Sequence, residues 1–199
     1  MDHERSVTRR RLLAAGLAAP ALALPGMRQV LAQAGELPAT PMCGGPPTPK
    51  DYEGPFYKAS SPMRTSLLEP GISGTKLVLE GFVLSKSCRP LADALLDFWH
   101  CDIDGDYDNR GFRLRGHQFA DANGRYRLET IYPGEYPGRT RHIHVKVQAR
   151  DGPLLTTQLY FPGNAANEKD FLFKPALLMK LGDAGGDRTG RFDFVLNLG

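Results

Sequence analysis

Cysteine is scarce in this chain, a single tryptophan is present, and no apolar run is long enough to span a bilayer. The three cysteines, Cys43, Cys88 and Cys101, cannot all pair within one chain. In an oxidising compartment one disulfide is expected, and Cys88 with Cys101 is the preferred pair because the two flank one strand; free buried thiols are the alternative. Cys101 lies beside His100, but no cysteine-protease signature surrounds it. The longest apolar run, Leu12 to Leu24, covers about 13 residues and is interrupted by Pro20, short of the roughly 20 that a membrane span needs. Surplus positive charge is also missing from most of the chain. Residues 1–34 hold five arginines against Asp2 and Glu4, which accounts for the whole formal charge of +3 and leaves the remainder neutral. Nothing there favours nucleic acid as a partner. No internal repeat is present. No convincing amphipathic helix occurs before Asn164 to Leu181, where Pro175 interrupts a weak pattern.

What is present at the N-terminus reads as an export signal. Thr8-Arg9-Arg10-Arg11-Leu12-Leu13 sets consecutive arginines before the Ala-rich apolar run, and Ala32-Gln33-Ala34 offers a small-residue cleavage site. The arrangement resembles a bacterial twin-arginine signal. The expectation is an exported, periplasmic or extracellular protein with no stable membrane insertion after export.

From Gly35 to about Tyr57 the chain is rich in Pro and Gly with little periodicity, so an extended arm is expected over residues 35–75. A folded domain should then occupy 76–199. Lys76 to Leu84 is rich in β-formers, Ala94 to His100 carries Leu96 and Phe98 at alternate positions, and Gly124 to Ile131 sets Tyr126, Leu128 and Thr130 against Arg125, Arg127 and Glu129. His142 to Val147, Leu155 to Phe161 and Arg191 to Leu198 follow, the last with Phe192, Phe194, Leu196 and Leu198 on one face. Asp121-Ala122-Asn123-Gly124 suits a hairpin turn. Many short strands separated by turn signals predict an all-β fold, an antiparallel β-sandwich with long loops.

Within this frame, His142-Ile143-His144 places two imidazoles on one face of a strand. The turn from Tyr132 to Gly138 can bring Tyr136 beside them, and Trp99 to Tyr107 leaves a strand, crosses an acidic loop and ends in a second phenol. Imidazole serves many metals, whereas anionic phenolate oxygen favours a hard, highly charged ion, with ferric iron the natural candidate.

Together, W-H-C-D-x-D-G-x-Y (Trp99 to Tyr107), L-R-G-H-Q (Leu114 to Gln118), the run from Gly124 to His144 and T-Q-L-Y-F (Thr157 to Phe161) resemble the intradiol ring-cleavage dioxygenases. These are non-haem Fe(III) enzymes that open catechols between the two hydroxyl groups. Thr48 to Tyr57 resembles the segment that precedes the sandwich in that family, which makes Tyr52 and Tyr57 either pocket walls or packing residues. The resemblance implies Tyr107, Tyr136, His142 and His144 as the Fe(III) ligands and Tyr136 as a proton acceptor. Arg139 would stabilise the reacting ring, with Gln158 beside it. It further implies a small aromatic diol and O2 as substrates and a muconate-type dicarboxylate as product. Arg141 is assigned to the surface, and His100, His117 and His3 to structural or exposed roles. The five residues between Tyr136 and His142 make a shorter loop than in the best-known catechol and protocatechuate enzymes and are similar to a secreted single-domain branch. A homo-oligomer stays open. Two other readings are carried: a secreted, non-catalytic binding sandwich, and a zinc hydrolase built on His142 and His144, which lacks an obvious third His or Glu ligand at suitable spacing and leaves the two tyrosines unexplained.

Overall fold

A computed structural model describes residues 45–199; the export signal, Cys43, His3 and residues 35–44 of the arm lie outside the described residues. Nine strands follow in order: β1 Lys76–Ser85, β2 Leu95–Trp99, β3 Arg115–Phe119, β4 Arg125–Ile131, β5 His142–Gln148, β6 Leu155–Tyr160, β7 Lys180–Ala184, β8 Asp187–Arg191 and β9 Phe194–Leu196. One sheet has the order β4-β1-β8-β7 with β9 also paired to β1, and the other has the order β3-β2-β5-β6. The expected all-β sandwich is therefore present, with one amendment to its antiparallel character. Strand β1 runs parallel to both β8 and β9.

The apolar alternation of the strands explains the core. Leu77 and Leu79 of β1 and Leu128 of β4 meet Leu96, Phe98, Ile143, Val145 and Val147 of the second sheet, all with no exposed surface. Their burial between the layers supplies the hydrophobic drive for sandwich formation.

Residues 45–75 precede β1 and bond to both sheets. The Arg64 N–H donates to His117 O at 2.9 Å, and the Leu67 N–H donates to Glu129 O at 2.8 Å. The Leu67 side chain itself joins the fully buried core.

Three sequence expectations are corrected. The single strand expected from Arg191 to Leu198 is β8 followed by β9, broken at Phe192 and Asp193. There a Cβ on Gly81 of β1 would sit 1.8 Å from Phe192 O, and the Phe82 N–H donates to Asp193 Oδ1 at 2.9 Å instead of to a ladder carbonyl. The weak helical pattern of Asn164 to Leu181 forms only two short 3₁₀ turns, Ala165–Lys169 and Pro175–Leu177. Cys88 and Cys101 are both free thiols, the first exposed and the second buried. Cys88 lies in the turn that follows β1 and Cys101 just after β2, and no bond joins them.

Candidate metal centre

The second sheet has two unlike faces because side chains alternate along each strand. Cross-strand register pairs Trp99 with both Arg115 and His144, His144 with Gln158, and His142 with Tyr160. These residues therefore share the face turned away from the apolar core. Each of these six side chains has an exposure of 1% or less. What covers them is the arm.

The arm is fixed over that face by backbone and side-chain bonds. The Asp51 N–H donates to Thr156 O at 2.9 Å, Gln158 Nε2 donates to Tyr52 O at 2.6 Å, and Arg115 donates through NH1 to Phe56 O at 2.6 Å. Gly54 adopts φ +76°, and a Cβ there would lie 3.3 Å from His144 Cε1, so glycine lets the arm lie directly against the imidazole.

Tyr107, Tyr136, His142 and His144 come together under this cover. Their rings form a continuous group, with centroid separations of 5.8 Å for Tyr107–Tyr136, 5.6 Å for Tyr136–His142, 4.7 Å for His142–His144 and 6.2 Å for Tyr107–His144. The two Nε2 atoms are 3.1 Å apart, and the Tyr136 hydroxyl lies 3.4 Å from His142 Nε2. Each tyrosine is placed by local turn chemistry. Asp102 Oδ1 accepts from the Asp104 and Asp106 N–H groups, both at 3.0 Å, which curls the acidic loop that leads to Tyr107. The Gly134 N–H donates to Asp102 O at 2.8 Å, tying that loop to the turn that carries Tyr136.

Protonation states follow from burial. Desolvation holds His142 neutral, lowering its pKa to about 3 with help from the Arg139 charge, and it drives His144 down as well, aided by His142. His142 Nδ1 lies 2.6 Å from Thr140 O, a pure acceptor, so Nδ1 carries the proton and Nε2 keeps its lone pair. Burial raises both phenols, Tyr107 far above its ordinary value, whereas the Arg139 guanidinium pulls Tyr136 back down.

The arrangement fits a hard metal ion. Two neutral imidazole nitrogens and two phenol oxygens face one another, and the buried Tyr107 hydroxyl and His144 Nδ1 have no hydrogen-bond partner. Orphaned buried polar atoms are costly and call for an explanation, which a cation would supply for the phenol. Among the described residues no group of three or more His, Cys, Asp and Glu is placed to hold a metal ion.

Arg139 and Gln158 lie beside this group. Arg139 donates through NH2 to Gln158 Oε1 at 2.5 Å and through Nε to Asp170 Oδ2 at 2.9 Å, and its NH1 lies 3.4 Å from the Tyr136 hydroxyl. Burial opposes the Asp170 charge, but hydrogen bonds from Leu172, Thr140 and Arg139 outweigh it and keep the carboxyl below its ordinary value. The Arg139 pKa is raised, because the Asp170 bond more than offsets its burial.

Several contacts were not evident from sequence. Phe56 stacks on Tyr107 at 4.3 Å and 16°, and Trp99 stacks on His144 at 4.9 Å and 7°. Of the two arm tyrosines, Tyr57 packs against Trp99 at 4.9 Å and donates to Asp97 Oδ2, while Tyr52 is 56% exposed and contributes its carbonyl. Arg141 is half-buried, not a free surface residue. It donates through Nε to Pro133 O and lies 4.7 Å from the Tyr132 ring, bracing the turn that precedes Tyr136. His100 is structural as expected, bonded to Thr130 Oγ1 at 2.6 Å and Cys101 O at 2.7 Å, and His117 bonds to Ser61 O at 2.7 Å. Burial raises the Cys101 thiol to about 12, which makes it inert.

A family model described as Dioxygenase matches residues 52–197, most of the chain. The chain belongs to the intradiol ring-cleavage dioxygenase family. Among solved structures, this dioxygenase family member is similar to the dioxygenase domain of a dioxygenase carbohydrate-binding protein fusion from the cellulolytic bacterium Streptomyces sp. SirexAA-E. The identity is 55% and the TM-score 0.76, covering 77% of this chain and 100% of that one. Catechol 1,2-dioxygenase of Acinetobacter baylyi is 28% identical, over 63% of this chain and 50% of that protein. The protocatechuate 3,4-dioxygenase beta chain of Burkholderia cepacia is 29% identical, over 63% of this chain and 64% of that protein. The chain spans about half the length of the first curated relatives it matches, 50% and 55%.

Proposed function

We propose that this protein is a non-haem Fe(III) enzyme that cleaves a catechol-type aromatic diol with O2, between the two hydroxyl groups, to a muconate-type dicarboxylate. The observation that carries the reading is the convergence of two buried, neutral imidazoles with the tyrosines Tyr107 and Tyr136 beneath the arm, in a chain of this family. Tyr107, Tyr136, His142 and His144 would hold the metal. When bound, ferric iron would act as a Lewis acid that chelates the diol and makes its ring reactive toward O2.

The remaining work falls to side chains. Tyr107 and Tyr136 would give up their phenol protons on loading, and the two phenolates would offset most of the charge of a trivalent ion, a third anion being needed to neutralise it. Tyr136, whose oxygen lies 3.4 Å from Arg139 NH1, would be the proton acceptor for the diol. Arg139, held by Asp170 and Gln158, offers a fixed positive charge where negative charge develops on the ring. Phe56 and Trp99 close two sides against water by stacking on Tyr107 and His144.

The test is oxygen uptake by the iron-loaded protein with catechol, with the product followed by its ultraviolet absorbance and mass. Uptake equal to catechol consumed, with both oxygen atoms in a dicarboxylate, is expected. A loaded protein that leaves catechol and a panel of ring-substituted catechols untouched would contradict the reading.

We also propose export by the twin-arginine route, supported by the arginines and leucines over Arg9 to Leu13. Cell fractionation after replacing Arg9 and Arg10 by Lys tests it: the protein should accumulate inside the cell.

A further inference from the structure

Asp170 lies outside every motif that marks the site in the sequence, yet its carboxylate reaches two of the site's working parts at once. Its side chain is 1% exposed. Oδ2 accepts from Arg139 Nε at 2.9 Å and from the Thr140 N–H at 3.0 Å, while Oδ1 accepts from the Leu172 N–H at 2.9 Å. The same short segment grips Thr140 a second time, because the Thr140 hydroxyl donates to Asn167 Oδ1 at 2.6 Å. Thr140, itself 1% exposed, then presents its carbonyl to His142 Nδ1 at 2.6 Å.

These bonds make a branched chain with one origin. One branch runs from Asp170 to the Arg139 guanidinium, whose NH2 is held by Gln158 and whose NH1 is thereby aimed at the Tyr136 hydroxyl. The other runs from Asp170 through the Thr140 backbone to His142, where a fixed carbonyl keeps the proton on Nδ1 and leaves the Nε2 lone pair directed at the group of donors. Without that fixed acceptor, a neutral imidazole is free to carry its proton on either nitrogen.

We infer that Asp170 is a positioning residue of the centre: it sets both the orientation of Arg139 and the tautomer of His142. The inference deepens the dioxygenase reading and rests on it for its kinetic consequences, but not for the tautomer. Three N–H groups face the carboxylate, so asparagine at this position must turn an N–H toward at least one of them and loses the charge that pairs with Arg139.

The experiment uses the full chain with Asp170→Asn, Asp170→Ala, Arg139→Ala and the double variant Arg139→Ala/Asp170→Asn. In the iron-loaded enzyme, Asp170→Asn should lower kcat for catechol by about 10- to 100-fold with KM little changed, since Arg139 acts on charge that develops during reaction. In the Arg139→Ala background the same change should cost less than it does in the wild type, because the Arg139 branch is already cut and only the His142 branch is left to lose. Losses that multiply, or an unchanged kcat in Asp170→Asn, would overturn the Arg139 branch. In the metal-free protein, imidazole nitrogen NMR should show His142 as the Nδ1–H tautomer in the wild type and as a mixture in Asp170→Ala. A folded Asp170→Ala that keeps the single tautomer would overturn the His142 branch; should that variant not fold, Asp170→Asn is read in the same way. A wild-type enzyme with no turnover on any catechol would count against the dioxygenase reading alone, since the imidazole spectrum decides the role of Asp170 without metal or substrate.

Discussion

Strands β1 and β5 each turn one face into the same apolar core, but their other faces differ. The outer face of β1 carries Lys76, Val78 and Glu80, all at least partly open to solvent, whereas the outer face of β5 carries His142 and His144, both buried. The contrast extends to the two sheets. Among the described strand residues, the first sheet buries only Ser85 and Thr130 as polar groups, while the second buries Asp97, Arg115, Gln118, His142, His144, Thr157 and Gln158. Burying polar groups costs desolvation that apolar packing of the same volume does not incur. Five of the seven, Asp97, Arg115, His142, His144 and Gln158, share the face that the arm covers, whereas Gln118 and Thr157 lie in register with core-facing Leu96 and Val145; the covered face is built for chemistry and the other mainly for stability.

Substitutions on the two faces should separate these roles, and the largest effect belongs to the polar face. Tyr107→Phe should lower turnover of catechol by more than the roughly 10- to 100-fold that supporting residues cost, while thermal stability is kept or raised, because the change removes a buried hydroxyl without a partner. On the apolar face the signs reverse. Phe98→Ala should lower the unfolding free energy by about 3 to 5 kcal/mol in denaturant titrations, yet the folded fraction should retain its iron affinity.

An intermediate effect comes from pH. His100 is buried, and desolvation lowers its pKa from 6.5 to about 4. The unfolded chain therefore binds a proton that the folded chain refuses, so stability is fully present above pH 6.5 and falls as pH drops toward 4. Metal-free protein should lose on the order of 2 kcal/mol from this group between pH 7 and 5, and His100→Gln should remove that part of the slope. The smallest effect is expected on the outer surface of the first sheet. Arg188 and Asp183 lie 2.9 Å apart with both side chains exposed, and Asp183→Asn should change stability by less than about 1 kcal/mol with no effect on turnover.

The parts legible in the sequence are those that rest on short-range periodicity. β1, β2, β4, β5 and β6 announce themselves by alternation or β-rich runs, and the spacing of His142 and His144 places both on one strand face. β3 is harder to read because Arg115 and Gln118 are buried there, so its sequence lacks an apolar alternation. β7 and β8 form a largely exposed hairpin around Gly185 and Gly186 with few apolar residues to mark it. The four donor residues were legible as a group, through motif order. Their supports were not: Phe56 meets Tyr107 from 51 positions away, and Asp170 meets Arg139 from 31, contacts fixed only once the arm and the 3₁₀ turn pack against the sheet.

The most direct measurement is a titration of ferric iron into the metal-free protein, watched in the visible spectrum. The account predicts a single ferric ion per chain and a red-brown phenolate-to-iron band that grows with loading and shifts when catechol is added without oxygen. A folded protein that takes up no iron, or takes it up and stays colourless, would contradict the claim that the buried polar face of the second sheet is a ferric tyrosinate centre.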